Sequence, residues 1–269
     1  MLELEEIKLN NRIFKNATSL LLMLIMLFSV FVQSVAAQES NPTPTPQPET
    51  INELENKSHQ LTQFGTGGAL EATQEQVDYW MEQEKLNPFV DSIEASIAST
   101  SWHYLDPFTH YAQTAHNGNS NTCGIASVRM VHHWHRGWAP TQATIINSSQ
   151  VTLHADGTYL SDLISYLSAN SIPGFSASHN SNQTTMRTRL TNTISSHNSA
   201  PIIGLRGNTS EGFPRNTGNH FVVGYSVFGT GTNFALCDPA GTGSLRWYDV
   251  TVATLYTAYN NVNIGFSYK

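Results

Sequence analysis

The sequence predicts an α+β domain from residue 101 onward, and three observations predict it. A helix signal starts at Cys123 and runs through about His135, with Ile125, Ala126, Val128, Met130, Val131 and Trp134 surrounding its axis on nearly every side. A strong strand pattern opens at His220 and runs to Phe228. A second apolar strand, ending at Cys237-Asp238-Pro239, is joined to the first by the glycine-bearing turn at residues 229–232, which reads as an antiparallel hairpin. A central buried helix packed on an antiparallel sheet satisfies all three.

Composition narrows the class. Charged residues are 12% of the 269, about half the usual globular share of roughly 25%. Ser, Thr and Asn fill the polar surface instead, a balance common in exported proteins. A net charge of −7 gives no basic face for phosphate backbones, so no nucleic-acid partner is expected. No phosphate-binding G-x-x-x-x-G-K-[ST] loop and no H-E-x-x-H zinc helix is present. The charge is also uneven: zero over residues 1–38, −9 over 39–100 and +2 over 101–269. Two differently composed pieces therefore follow a leader.

Residues 1–37 read as a signal peptide. The apolar run at residues 20–32 has the length of an h-region, and small residues at Ser34, Ala36 and Ala37 suit cleavage. The competing reading is an uncleaved anchor spanning Ala17 to Ala37, the one route to a membrane. Residues 38–50 carry alternating proline (Pro42, Pro44, Pro46, Pro48), an extended semi-rigid spacer.

Residues 51–100 form an acidic arm or pro-segment with one helix from about Thr73 to Leu86. Thr73 can cap it, Glu75 and Asp78 suit its positive end, and Asn87-Pro88 stops it. Val77, Trp80, Met81 and Glu84 share a face, so the helix lays Val77, Trp80 and Met81 on something: an arm packed on the later domain fits, and a mere surface helix is the alternative. Lying over a cleft it would hold the domain latent; lying on the back it would be a brace.

Residues 101–269 carry the chemistry. Cys123 follows the Gly/Asn/Ser-rich loop at residues 117–121 and begins a helix, where unpaired amides and the dipole favour thiolate. A buried inert thiol is the alternative, and so is a disulfide to Cys237, since exported chains with two cysteines often pair them. Strand alternation points Cys237 and Asp238 to opposite faces, so a hairpin that brings Asp238 to Cys123 takes Cys237 away. A reactive thiol needs a proton acceptor, and eleven histidines compete. His220 opens the hairpin. With a centre near Gly229 it lies directly opposite Asp238, and with a centre near Thr230 diagonal to it on the same face; a one-residue slip would separate them. His132, His133 and His135 look metal-like, but only His132 and His135 lie near one helix face and no acidic or thiol set completes them, so no metal or other cofactor is expected.

In this order the residues resemble a known family. A glutamine (Gln113), Cys123-Gly124 opening a helix, His220-Phe-Val-Val on a strand and Asp238-Pro239 are similar to the double-glycine (bacteriocin-processing) peptidase-like group of bacterial papain-like cysteine peptidases. Gly157-Thr158-Tyr159 before a helix over 160–169, a strand at 200–203, and Trp247-Tyr248 before a final helix and strand fit the same pattern. The resemblance implies a papain-like fold with Cys123 as nucleophile, His220 as base, Asp238 as orienting acid and Gln113 in the oxyanion hole. Departures are Ile125 where proline is common and the absence of following transporter segments. Gly67-Gly68 invites self-cleavage by analogy, yet Gly65 and Thr62 stand where such leaders carry apolar residues, so the pair reads as a flexible linker. The expected protein is an exported monomeric peptidase acting on a peptide or protein. A thiol amidase or acyl transferase using the same residues, and an inactive surface-binding domain, are the alternatives.

Overall fold

The computed structural model describes residues 67–86 and 100–269. The expected signal peptide, the proline spacer and the rest of the acidic arm lie outside the described residues. Within them the chain is α+β: six helices and a seven-stranded sheet whose strands pair antiparallel. No helix among the described residues is long and apolar enough to cross a membrane.

The N-terminal piece holds strand β1 (Gly68–Ala69) and helix α1 (Gln74–Leu86). Thr73 caps α1 reciprocally: its Oγ1 accepts from Gln76 N–H at 3.3 Å while Gln76 Oε1 accepts from Thr73 N–H at 3.0 Å. Val77 is buried and Trp80 packs against the core, as the periodicity demands, but Met81 is exposed. At about 100° per residue, Val77, Trp80 and Glu84 cluster on one side and Met81 falls at its rim.

Helix α2 (Cys123–Arg136) is the central helix, buried along nearly all of its first ten residues and packed on the sheet. Gly124 lets the helix start lie close to its neighbours, because a Cβ there would lie 2.2 Å from Thr158 Oγ1 and 3.2 Å from the Phe221 ring. Helices α3 (Gln142–Ile146), α4 (Leu160–Ala169) and α5 (Gln183–Ser195) follow, with strands β3 (Gly157–Thr158) and β4 (Ser176–Ser178) between them. Asn182 and Thr141 accept first-turn amides at the starts of α5 and α3, so local capping fixes both helix starts.

The sheet runs β4, β9 (Phe266–Tyr268), β5 (Ile202–Leu205), β6 (His220–Phe228), β7 (Asn233–Cys237), β8 (Trp247–Thr251). Strand β2 (Trp102–Tyr104) also pairs with β6, continuing along the edge where β5 stops. Helix α6 (Val252–Asn260) links β8 to β9. Phe221, Ile125, Met130 and Leu163 are buried around α2 without solvent exposure, while Phe234 and Phe266 fill the other face of the sheet, beside α5 and Tyr259 of α6.

The β6–β7 hairpin changes register along its length. Near the turn Phe228 pairs with Asn233 and Ser226 with Ala235; beyond a bulge at Tyr225, Gly224 pairs with Leu236 and Val223 with Cys237. Continued, that inner register puts Asp238 opposite Val222 and diagonal to His220 on the same face. The outer register alone would have put the two on opposite faces.

Candidate active site

Cys123 is the first residue of α2, and the first turn carries no acidic side chain, so the helix presents unpaired amides and an uncompensated positive end at the sulfur. Thr122 does not cap with its side chain; its Oγ1 donates instead to Thr114 O at 2.9 Å, tying the loop before the helix to the segment that carries Gln113. The sulfur accepts the Phe221 backbone N–H at 3.4 Å, which sets β6 directly against the helix start.

His220 and Asp238 are fully buried, and Nε2 of the imidazole lies 2.8 Å from Oδ1 of the carboxylate. With Nε2 committed, Nδ1 is the nitrogen left for Cys123. Burial alone would push the imidazole toward neutrality. The Asp238 charge, followed by interaction and hydrogen bonding with Cys123, overrides that and lifts its pKa from 6.5 to about 9. Burial likewise acts to raise Asp238, but His220 and then Arg215 and the Ala240 amide outweigh it and hold the carboxyl below its ordinary range.

Asp238 has more partners than sequence reasoning found. Arg215 straddles it, with Nε 3.0 Å from Oδ2 and Nη2 donating to Oδ1 at 3.2 Å. Ala240 N–H donates to Oδ1 at 2.8 Å and the Tyr248 hydroxyl to Oδ2 at 3.2 Å. Tyr248 could have been found: it stands opposite Leu236 in the β7–β8 ladder, on the face that Asp238 shares. Arg215 left no such signal, since it reaches the site from the irregular loop before β6.

Gln113 is nearly buried close to the helix start. Its backbone N–H donates to Pro239 O at 2.8 Å and its side-chain Nε2 to Ser120 O at 3.2 Å, so the segment bridges the Asp238 loop and the residues before Cys123. Its Oε1 is buried with no hydrogen-bond partner.

The remaining candidates disperse. Cys237 is free and buried, its sulfur on Met130 Sδ at 3.3 Å on the face away from Asp238, and Cys123 is free as well. The three histidines of α2 reach three different partners: His132 Nδ1 the Trp138 carbonyl at 3.0 Å, His133 Nδ1 the Tyr111 hydroxyl at 2.6 Å, and His135 Nε2 Ser199 Oγ at 3.3 Å. Gly67 and Gly68, expected as a flexible linker, instead lead into strand β1, which pairs parallel with β3 in register Gly68 to Gly157. Only glycines permit this approach: a Cβ on Gly157 would lie 1.9 Å from Gly68 O. The strand crosses directly over Cys123, whose thiol donates to Gly67 O at 3.9 Å.

No protein-family model matches this chain, and no curated protein sequence matches it.

Proposed function

We propose that the protein is an exported cysteine peptidase of the papain-like, double-glycine-peptidase-like kind, cleaving peptide bonds by covalent acyl transfer. The observation that carries the reading is the buried pair of His220 and Asp238, with its second imidazole nitrogen left for a thiol at the start of a buried helix. An inert structural cysteine needs neither the charge nor the orientation.

In this reading the Cys123 sulfur, its proton taken by His220, attacks the substrate carbonyl carbon. The Cys123 backbone N–H and the Gln113 side-chain amide receive the developing oxyanion. The tetrahedral intermediate collapses as His220 protonates the departing amine, leaving a thioester. Water, deprotonated by His220, then attacks the thioester and restores the thiol. Asp238 keeps the imidazole in the required orientation and supports its cation, and Arg215 and Tyr248 hold Asp238. Export follows from the leader, and the substrate is a peptide or protein strand.

The test is turnover of a peptide library by the unaltered chain and by Cys123→Ala. Hydrolysis that falls about a thousandfold or more in the variant is expected. No turnover of any peptide or amide, by the unaltered chain or by a variant in which strand β1 is displaced, would reject the reading in favour of an inactive binding domain.

A further inference from the structure

We propose that residues 67–86 are a competitor built into the chain, in which β1 fills the groove above Cys123 and α1 clips it in place. The inference rests on reading Cys123 as the nucleophile and names how that site is regulated.

The strand bridges both walls of the groove. Ala69 N–H donates to Asn219 O at 3.1 Å, immediately before His220, and Leu70 N–H donates to Thr158 O at 2.9 Å on the opposite side; further along, Ala72 N–H reaches Asn263 O at 2.7 Å. Beneath it Cys123 has no solvent exposure. A Cβ on Gly68 would stand 2.9 Å from the sulfur and 2.9 Å from the Asn121 carbonyl carbon, so the chain passes as close as backbone can. No macromolecular substrate reaches the thiol while β1 is seated.

The seating is unproductive. The thiol points at the oxygen of Gly67, leaving the carbonyl carbon beyond that 3.9 Å contact and outside the roughly 3–3.5 Å of an attack geometry. The Gly68 carbonyl turns toward Gly157, and the Gln113 amide rests on Ser120 O. The strand therefore binds where a substrate would and is not cut.

A two-residue strand does not hold itself, and α1 supplies the grip. Val77 is buried, Gln76 Nε2 donates to Ser161 Oγ at 3.0 Å, and Glu84 pairs with the buried Arg189. Glu71 sits 3.8 Å from Arg206. The acidic arm thus meets basic residues of the following domain, and covalent tethering keeps the strand at high effective concentration over the groove.

The experiment compares iodoacetamide labelling of Cys123 in the full chain, in Gly68→Val and in Val77→Glu, with Cys237 in the same sample as a gauge of unfolding. Gly68→Val cannot keep the strand, because φ is +130° and its side chain would strike the sulfur. Val77→Glu unseats the clip from the far end. The expected result is labelling of Cys123 faster by about tenfold or more in both variants, with Cys237 still protected. A synthetic peptide of residues 64–74 should slow it again. Unchanged labelling in both variants overturns the proposal. So does a Cys123-dependent new N-terminus at Gly68 or Ala69 in the unaltered chain, which would make the strand a substrate. Should a variant unfold and expose Cys237, hydrogen exchange on the unaltered chain decides. Ala69, Leu70 and Ala72 amides exchanging well before those of β6 support a strand that opens, whereas equal protection makes it a permanent brace. Fast labelling of the variants without turnover of any peptide rejects the peptidase reading and leaves the occlusion standing.

Discussion

Helix α2 begins with a cysteine and strand β7 ends with one, and both are free and wholly buried. Their surroundings share little else. Around Cys123 lie a helix start, the Phe221 amide and an imidazole anchored on a carboxylate. Cys237 meets the Met130 thioether, and burial, helped by the nearby Asp238 charge, pushes its thiol well above the ordinary range. Neighbouring Cys237 and Asp238 point opposite ways, so the strand that completes the polar site also inserts the inert thiol into the core. Burial alone does not distinguish the two thiols; the polar atoms within reach do.

Alkylation gives the largest contrast. Once β1 is displaced, iodoacetamide at neutral pH should modify Cys123 at least about a hundredfold faster than Cys237, since Cys237 stays buried against Met130 and burial holds its thiol protonated. Equal rates, followed by peptide mass mapping, would erase the distinction.

A smaller effect is expected in stability. The His220 pKa is raised on folding, so its contribution is fully present below pH 6.5 and is lost as pH rises through about 9. Urea midpoints should fall over that window by the equivalent of about 1–3 kcal/mol. His220→Gln should flatten the fall; a slope that persists in the variant would assign it to other groups.

Arg215→Met tests the carboxylate's other partner. Asp238 would then have no charged partner besides His220, lifting the imidazole further and moving the alkaline limb of Cys123 alkylation upward by about half a unit to one unit. Loss of the guanidinium from a buried carboxylate should also cost about 2 kcal/mol. A stability loss with an unmoved pH profile would leave Arg215 as a structural tie only. The mildest change is Cys237→Ala, expected to cost about 1 kcal/mol for the small cavity beside Met130 and to leave turnover within about twofold of the parent; a collapse of turnover would merge the two cysteines into one site.

Much of this arrangement was legible where it depends on neighbours in sequence. The apolar ring around α2, the strand running from His220 to Phe228 and the turn before Asn233 each announce themselves within a dozen residues. The meeting of His220 with Asp238 was legible only as two registers and a warning about a third, because a bulge at Tyr225 has no local signature. Arg215 and the path of Gly67-Gly68 were not legible at all. Their positions are set by pairing with distant backbone, Asn219 and Thr158 in the case of β1, and no periodicity within the segment encodes such partners. Two adjacent glycines read as slack chain when their purpose is close approach.

The bulge has a consequence for how this protein tolerates changes of length. Thirteen residues separate Val223 from Cys237, and the turn beyond Phe228 and Asn233 takes four of them. The nine left cannot be divided evenly between two strands, and Tyr225 is the remainder. It is set outward among Trp247, Phe108 and Tyr104, where a spare residue can be stored without disturbing the inner ladder. The hairpin thus has a slip joint. One residue inserted into the turn would need one removed at the bulge, and that exchange would leave His220 and Asp238 where they stand. An insertion in the turn that the bulge did not absorb would rotate the two apart, although neither side chain, nor anything touching them, had been altered.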